Sequence, residues 1–379
     1  MISKKIRVCF IVTACKKSGP IQQILNIIKN LKRDEFEPIL FTIYPEADDG
    51  SSQLGKYLKY VKHYYIPISK AGIIFGRTKA IKAELDKIKP DLIYSLGVFP
   101  DYLISNLKNY PHVITLRNYV WDDYPAKYGR VLGTIMAKLH LHAIKHTDKV
   151  VTCSQSLSRI YKERLGLDFD FIRNGVDLEQ YEKPADGEKS TKRKKLGLPD
   201  KAFIYTYSGQ IIERKNQRFL LEVFSDNFKT NETYLLILGD GSDYQALKSE
   251  YGNAKNIDFR GNVDNVNEYL KACDAYVSTS ISEGMPNGVL EAMATGLPVV
   301  LSDIEQHREV INADDKIGFV YKQGDKNDLA EKMKKLVNAD YKEMSKHAVD
   351  CAYKSFDAKK MSERYQELYS EIVMRGRQL

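Results

Sequence analysis

The sequence predicts an α/β protein built as two halves, each a parallel sheet with helices around it. Three observations carry this reading. The chain has 379 residues, and at roughly 150 residues per domain that length suits two domains. Short β-branched apolar runs recur along it, separated by segments with helical apolar spacing, which is the pattern of parallel strands joined by crossover helices. A polar, charged stretch at 179–200 interrupts the pattern, and a second alternating series follows it. Apolar residues at 43% and charged residues at 28% are ordinary globular values. They exclude a disordered, collagen-like or coiled-coil chain.

The elements follow in order. Lys5–Thr13 (KIRVCFIVT) is a first strand and not a signal peptide, because Arg7 interrupts the apolar run and no small-residue cleavage site follows. Gly19–Pro20 opens a helix whose one face is Ile21, Ile24, Leu25, Ile28 and Leu31. Pro20 stands in the first turn, where a helix tolerates proline. Glu37–Tyr44 is a second strand, and Thr78–Ile88 a helix. Asp91–Leu96, Val113–Leu116 and Lys149–Cys153 are short buried strands. Phe171–Arg173 ends the series at the Asn174–Gly175 turn. Tyr124–His146 reads as one basic amphipathic helix with Val131, Leu132, Ile135, Met136 and Leu139 on one side. Such a helix either packs on its own sheet or lies on a membrane surface.

Residues 179–200 contain two prolines and a Lys/Arg cluster between Lys189 and Lys195, which reads as a linker plus an exposed helix. Strands are expected next at Phe203–Ser208, Tyr234–Leu238, Ile257–Arg260, Ala275–Ser278, Pro298–Leu301 and Gly318–Val320. Ala358–Met374 is an amphipathic helix. The expected division is a first α/β domain over 1–178, a linker over 179–200, a second α/β domain over 201–357 and a terminal helix over 358–379. Two halves joined by a linker imply a cleft, a common place for a ligand.

Charge is unevenly placed. Residues 1–178 carry 28 Lys/Arg against 17 Asp/Glu, a net of +11, while residues 179–379 carry 30 against 33, a net of −3. The basic half suggests an anionic partner, namely a membrane surface, a phosphorylated substrate or nucleic acid. A solvated lysine-rich surface accounts for it equally. No RRM, zinc-finger or KH signature is present, so no nucleic acid is expected. No run of 18 apolar residues exists, so no transmembrane helix is expected. The five cysteines, Cys9, Cys15, Cys153, Cys273 and Cys351, are odd in number and contain no CxxC pair. They suit reduced thiols in a cytoplasm, and neither a disulfide framework nor a metal site is expected.

The most informative stretch is Ser278–Asp303, STSISEGMPNGVLEAMATGLPVVLSD. Gly284, Pro286 and Gly288 form a loop that lets backbone approach a ligand, and a helix follows from about Asn287 to Thr295. Its N-terminus offers N–H groups and partial positive charge, suiting an anion or a hydroxyl-rich ligand. Glu283 lies in the loop and Glu291 eight residues on, two turns into the helix, so two carboxylates address one ligand from different depths. Carboxylates accept hydrogen bonds from sugar hydroxyls. The plainer alternative is a helix N-cap glutamate plus a surface one.

A second element is YSGQIIERKN, Tyr207–Asn216, where Arg214 and Lys215 stand at a strand-to-helix transition and can neutralise a diphosphate or simply be solvated. LGDG, Leu238–Gly241, is a strand-end glycine turn that mostly signals tight packing. Gly19, in the first β–α loop, either lets amides meet a phosphate or only admits the helix. GxGxxG is absent, which argues against an NAD enzyme, and no Walker loop, HExxH or GxSxG appears.

On these residues the chain resembles a retaining glycosyltransferase of the GT-B fold in the large family 4. The strongest likeness is Glu283–x7–Glu291 within SEGMPNGVLEAMATGLPVV. SGQIIERKNQ is similar to the family's phosphate loop. FIRNGVD resembles the segment entering the interdomain hinge, and SFDAKKMSERYQELYSEI the terminal helix. The resemblance implies two Rossmann-like domains facing across a cleft, with that helix crossing back to the first domain. It implies that Glu283 binds donor-sugar hydroxyls and Glu291 the ribose. The loop Gly284, Met285, Pro286, Asn287 would hold sugar and phosphate through its backbone, and Lys215 the diphosphate, beside Gly209. Gly19 matches the first-domain loop that meets diphosphate and acceptor. Three positions depart from the pattern. Gln210 replaces a frequent arginine, with Arg214 as substitute. Pro20 replaces a second glycine. Arg117 and Asn118 stand where many members carry a histidine, which makes them the acceptor-side candidates.

The activity so implied is transfer of a hexose or N-acetylhexosamine from a nucleotide-sugar, UDP-linked on family frequency, with Glu283, Lys215 and Arg214 as the catalytic group and neither metal nor cofactor. The implied acceptor is a glycan or a polyprenyl-diphosphate-linked sugar in bacterial surface polysaccharide assembly, capsule or O-antigen. The implied place is the cytoplasm, peripheral on the inner face of the plasma membrane. The alternatives are a GT-B sugar-nucleotide epimerase and a non-catalytic sugar-nucleotide-binding accessory subunit.

Overall fold

The computed structural model describes residues 5–69, 72 and 78–378. The chain divides into two compact units, one made of Met1–Gly175 with Ala358–Leu379, the other of Val176–Asp357.

The first unit carries a seven-stranded sheet: β1 (Ile6–Val12), β2 (Phe36–Thr42), β3 (Lys62–Tyr65), β4 (Leu92–Leu96), β5 (His112–Leu116), β6 (Lys149–Thr152) and β7 (Asp170–Phe171). The order is β3-β2-β1-β4-β5-β6-β7, and every pairing is parallel, with Val8 beside Pro38 and Leu92. The two-residue period of a strand divides its side chains between two cores. Val8, Phe10 and Val12 enter one cluster with Leu92, Tyr94 and Leu96. Cys9, Ile11 and Ile93 enter the other.

Two helices cover the first cluster. Gly19–Lys29 has Pro20 in its first turn, as expected, and buries Ile21, Ile24, Leu25 and Ile28. Ala358–Gln378, the terminal helix, sends Met361, Tyr365, Tyr369 and Val373 inward at four-residue spacing. Between the two helices, the Ser362 hydroxyl donates to Ile27 O at 2.9 Å, and Gln366 bridges Asn30 O and Lys32 N–H. Tyr94 meets Tyr365 edge-on at 5.9 Å and Phe10 meets Tyr369 at 6.4 Å, the tilted geometry that aromatic quadrupoles favour.

The second unit has six parallel strands, β8 (Phe203–Ser208), β9 (Thr233–Leu238), β10 (Ile257–Gly261), β11 (Ala275–Ser278), β12 (Val299–Ser302) and β13 (Gly318–Tyr321). They are ordered β10-β9-β8-β11-β12-β13. In each sheet the order reverses once, between β1 and β4 and between β8 and β11. At such a reversal the loops leaving two adjacent strands turn to opposite faces and open a crevice at the strands' carboxyl ends.

Three expectations are corrected. The segment 179–200 belongs to the second unit, and its helix, exposed at Ser190, Thr191, Lys194 and Lys195, is anchored on its other side. Helix Glu188–Leu196 packs into the second unit, and Arg193 is buried, donating to Ala272 O and Ala202 O and pairing with Asp274 at 2.5 Å. Lys189 and Lys192 pair with Asp274 and Glu268. The acidic partners lie some 80 residues away in sequence, so composition alone could not reveal them. Tyr124–His146 is two helices, Val120–Tyr128 and Arg130–His146, divided by Gly129 at φ +77°. Strand β3, KHYY, was not expected; it is a short, largely exposed edge strand without the apolar run that marks the others.

The Tyr369 ring is fully buried, and its hydroxyl has no hydrogen-bond partner among the described residues. Tyr369→Phe is therefore expected to leave the melting temperature unchanged or raise it, because an unsatisfied buried hydroxyl is removed. Tyr369→Ala is expected to cost about 3–5 kcal/mol through the cavity it opens. Chemical denaturation of the two variants checks both outcomes.

Candidate active site

The signature stretch lies at the β8/β11 reversal. Leaving β8, the chain passes Gly209 and Gln210 and forms a single 3-10 turn, Glu213–Lys215, before helix Gln217–Asn227. Leaving β11, it passes Thr279–Pro286 and enters helix Asn287–Ala294. Backbone and side-chain bonds join the two loops. Ile281 N–H donates to Arg214 O at 2.9 Å, and the Thr279 hydroxyl donates to Asn216 O at 2.9 Å. Asn216 adopts a left-handed conformation, φ +54°, which asparagine tolerates better than most residues.

Glycines allow the approach. A Cβ on Gly239 would lie 1.8 Å from Gly209 O, and one on Gly241 would lie 2.2 Å from Ile211 O, so the LGDG turn is a packing device for the segment that leaves β8. A Cβ on Gly288 would lie 2.4 Å from the Tyr276 hydroxyl, which itself donates to Ser208 O at 2.9 Å. The first turn of the signature helix thus rests directly on the ends of β8 and β11. Its N-cap is Pro286, and no side chain caps it; the Asn287 and Val289 N–H groups donate to Met285 O at 3.0 Å and Pro286 O at 2.9 Å.

The fold brings Glu283, Lys215 and Arg214 together. The Lys215 ammonium donates to Glu283 Oε1, and Arg214 reaches Glu283 Oε2 at 3.3 Å and the carbonyl of Ser282. The Ser280 hydroxyl donates to Glu283 Oε1 at 2.7 Å. The three charged side chains are only 6–16% exposed. Burial alone would raise the Glu283 carboxyl, but the ammonium and guanidinium outweigh it and bring it down to about 2. The carboxylate is ionised, and the two cations are held at fixed positions.

Glu291 sits differently. The helix begins at Asn287, so Glu291 stands just over one turn in, not two. It is half-buried and takes a hydrogen bond from the Tyr181 hydroxyl, and burial pushes its carboxyl up to about 7. The Tyr276 hydroxyl feels both carboxylates, which places Glu283 and Glu291 around one strand end. Gly284, Met285 and Pro286 are buried beside Glu283, and Asn287 is half-buried.

The first-unit candidates have their own partners. Gly19 is the first residue of helix Gly19–Lys29. Arg117 donates to Asn174 Oδ1 and, at 3.1 Å, to the Tyr94 hydroxyl. Asn118 donates to Asp123 Oδ1 at 3.1 Å. Among the described residues no three His, Cys, Asp or Glu side chains group as a metal site.

Two residues escaped the sequence reading. Tyr181 precedes the second sheet and gave no signal beyond being an aromatic in a polar stretch. His307, on helix Glu305–Ile311, is fully buried, and its Nδ1 lies 3.0 Å from Ser302 O. The Ser302 hydroxyl donates to Ser280 O, completing a chain from His307 to Glu283. Burial lowers the His307 imidazole to about 4, so it is neutral at pH 7. Its place, five residues after a strand end, was the available sign.

Two doubly wound parallel sheets, with a glutamate-bearing loop and helix at a strand-order reversal, define the class as a GT-B glycosyltransferase. The chain belongs to glycosyltransferase family 4: the family model "Glycosyltransferase Family 4" matches residues 18–180 and "Glycosyl transferases group 1" matches residues 188–355. It is 28% identical over 376 residues, 95% of this chain and 88% of the other, to the UDP-Gal:alpha-D-GlcNAc-diphosphoundecaprenol alpha-1,3-galactosyltransferase of Escherichia coli. It is 25% identical to the O-antigen biosynthesis glycosyltransferase WclY of the same organism, over 81% of this chain and 83% of the other. Among solved structures, sucrose-phosphate synthase from Thermosynechococcus elongatus superposes with a TM-score of 0.81 at 17% identity, over 97% of this chain and 100% of that one. Anabaena HepE, solved with UDP and glucose, gives 0.79 at 19% identity, over 96% and 99%. At these identities the superpositions establish the fold.

Glu291 makes stability fall with rising pH. Its folded-state value near 7 exceeds its ordinary value of 4.5, so between those values the native chain holds a proton that the unfolded chain has released, and unfolding becomes easier as pH climbs. Glu291→Gln is expected to remove that slope and to be more stable than the parent at pH 8 by on the order of 1–3 kcal/mol. Parallel stability curves for parent and variant from pH 4 to 8 would contradict the assignment. Glu283 acts in the opposite sense, contributing stability that is lost only as pH falls from 4.5 towards 2.

Proposed function

We propose that the chain is a retaining, metal-independent glycosyltransferase. It moves a hexose or N-acetylhexosamine from a nucleotide-sugar, UDP-linked, to a glycan or polyprenyl-diphosphate-linked acceptor in bacterial cell-surface polysaccharide assembly. The observation that carries this reading is the Lys215–Glu283–Arg214 cluster at the carboxyl ends of β8 and β11. Supporting it from outside are the names of the relatives: one uses UDP-Gal and an undecaprenol-diphosphate acceptor, and another belongs to O-antigen biosynthesis. No helix among the described residues is long and apolar enough to cross a membrane. A lipid-linked acceptor would therefore be met from the membrane's surface, on the cytoplasmic face where nucleotide-sugars are made.

The chemistry follows from the charges. As the bond from the anomeric carbon to the diphosphate breaks, its electron pair moves to the diphosphate and the sugar becomes oxocarbenium-like. Lys215 and Arg214 would meet the growing negative charge, preorganised by the carboxylate between them and so requiring no reorganisation at the moment of reaction. Glu283 would accept hydrogen bonds from sugar hydroxyls with lone pairs its cations leave open. Glu291, nearer neutrality, would take the ribose. The positive end of the signature helix would favour the phosphates through its dipole. With no enzymic nucleophile needed, the acceptor oxygen bonds the anomeric carbon on the face the diphosphate leaves, and the leaving phosphate takes the acceptor's proton.

Lys215→Ala is expected to lower kcat/KM by about 2–4 kcal/mol of transition-state stabilisation, roughly 30- to 1000-fold. The melting temperature is measured on the same variant, because Lys215 also pairs with the buried Glu283 carboxylate. Steady-state kinetics that leave the variant unchanged would refute the assigned role. Screening nucleotide-sugars for thermal stabilisation identifies the donor, since a ligand at 100 times its Kd adds about 2.7 kcal/mol by mass action. Free epimerised sugar nucleotide formed without acceptor would instead assign an epimerase.

A further inference from the structure

Behind the Glu283 carboxylate lies a second layer of polar groups drawn from three elements. His307 comes from helix Glu305–Ile311, Ser302 is the last residue of β12, and Ser280 belongs to the loop after β11. All three are fully buried. Their hydrogens can be placed from the acceptors alone. The Glu283 carboxylate only accepts, so the Ser280 hydroxyl, 2.7 Å from Oε1, gives its proton there. The Ser302 hydroxyl gives its proton to the Ser280 carbonyl at 2.5 Å, which leaves Ser302 Oγ as an acceptor. His307 Nδ1 lies 3.0 Å from that oxygen and 3.0 Å from the Ser302 carbonyl. Neither oxygen has a hydrogen to offer it, so Nδ1 carries one. Burial keeps the ring neutral, so Nε2 is a bare lone pair, and it has no partner among the described residues. Donation therefore runs one way, from helix to strand to loop to carboxylate.

We propose that His307 is a positioning residue for the transfer reaction: its Nδ1–H locks the Ser302 hydroxyl on the Ser280 carbonyl, and so sets where Glu283 and its two cations stand. The anchor is firm. β12 is paired on both sides, through Leu301 to Ser278 of β11 and through Ser302 to Tyr321 of β13. The loop it holds is not firm by itself. Ile281, next to Ser280, is 47% exposed, and its N–H is spent on Arg214 O. Residues 280–283 are thus gripped from one side by the Arg214 carbonyl and from the other by Ser302.

A serine hydroxyl rotates readily among staggered positions. An imidazole that donates to both the hydroxyl and the carbonyl oxygen of Ser302 ties that side chain to its own main chain. The ring is also close enough to feel the Glu283 carboxylate and the Lys215 ammonium, so a shift at His307 is a shift beside the charged cluster. The consequence for the rate rests on the role assigned above to Glu283, Lys215 and Arg214; the placement of hydrogens does not.

Two substitutions separate positioning from packing. Asparagine keeps an N–H close to the place of Nδ1 and loses only the unbonded Nε2 side of the ring. Leucine fills the space and donates nothing. His307→Leu is expected to lower kcat about tenfold while the donor KM changes by less than about twofold, since small misplacements act on the chemical step. His307→Asn is expected to return kcat to within about threefold of the parent. Melting temperatures of both variants are recorded, and kcat should follow the donor and not the melting temperature. Ser302→Ala breaks the next link and should slow turnover as His307→Leu does. The double variant should be no slower than either single one, because both act through one contact.

Parental kcat in His307→Leu, equal losses in the Leu and Asn variants, or losses that multiply in the double variant overturn the proposal. A readout independent of turnover is the nitrogen-15 spectrum of the imidazole at pH 7, assigned by its disappearance in His307→Asn. Hydrogen on Nδ1 and none on Nε2 is expected, and the reverse overturns the clamp even in an active enzyme. The expected tautomer in a chain that transfers sugar from no nucleotide-sugar would instead overturn the transferase reading, and the positioning role with it.

Discussion

The arrangement of the second unit turns on one buried carboxylate. Glu283 is almost without solvent and ionised, which is sustainable only because an ammonium and a guanidinium stand on it. Each of the three groups would be costly to bury alone. Their mutual requirement pins the loop after β11 to the turn after β8, and the Ile281 N–H on Arg214 O and the Thr279 hydroxyl on Asn216 O fix the same junction. The glycines at 209, 239, 241 and 288 serve this junction, since a side chain at any of the four would strike the backbone or hydroxyl it packs on.

The two signature glutamates are chemically distinct despite standing around the same tyrosine. Glu283 sits among cations and stays charged, whereas burial draws Glu291, with the Tyr181 hydroxyl on it, towards neutrality. The contrast is set by their surroundings, two cations around one carboxylate and burial around the other. Neutral His307 and the serines at 280 and 302 complete the setting by holding the Glu283 loop from beneath.

The first unit applies the same economy of contacts to a different end. Its sheet is closed on one face by a helix from the far end of the chain, through an aromatic cluster of Phe10, Tyr94, Tyr365 and Tyr369. Its other notable element, the helix pair over residues 120–146, is tied to the sheet through a relay of buried polar groups and leaves an aliphatic, cationic face outward. Apolar burial organises the interior of the unit.

Much of this was legible in the residues. Parallel strands buried on both faces read as short runs rich in apolar, β-branched and aromatic residues, so β1, β8 and β11 announced themselves. The spacing of Glu283 and Glu291 within a glycine-bearing strand-to-helix loop marked the site. Lys215 and Arg214 were visible as candidates, but their convergence on Glu283, nearly seventy residues away, follows from the order in which strands pair, and local periodicity carries no information about that order. For the same reason the basic run at 189–195 looked solvated until Asp274 and Glu268 were brought beside it. Gly129 was in plain sight, yet only its positive φ divides the basic helix in two, and only packing decides which of that helix's aliphatic side chains face water. Sequence determined the elements and the chemistry each could offer, because both depend on neighbours along the chain. Tertiary structure decided which charges meet, which are desolvated and which surfaces remain open, because those depend on neighbours in space.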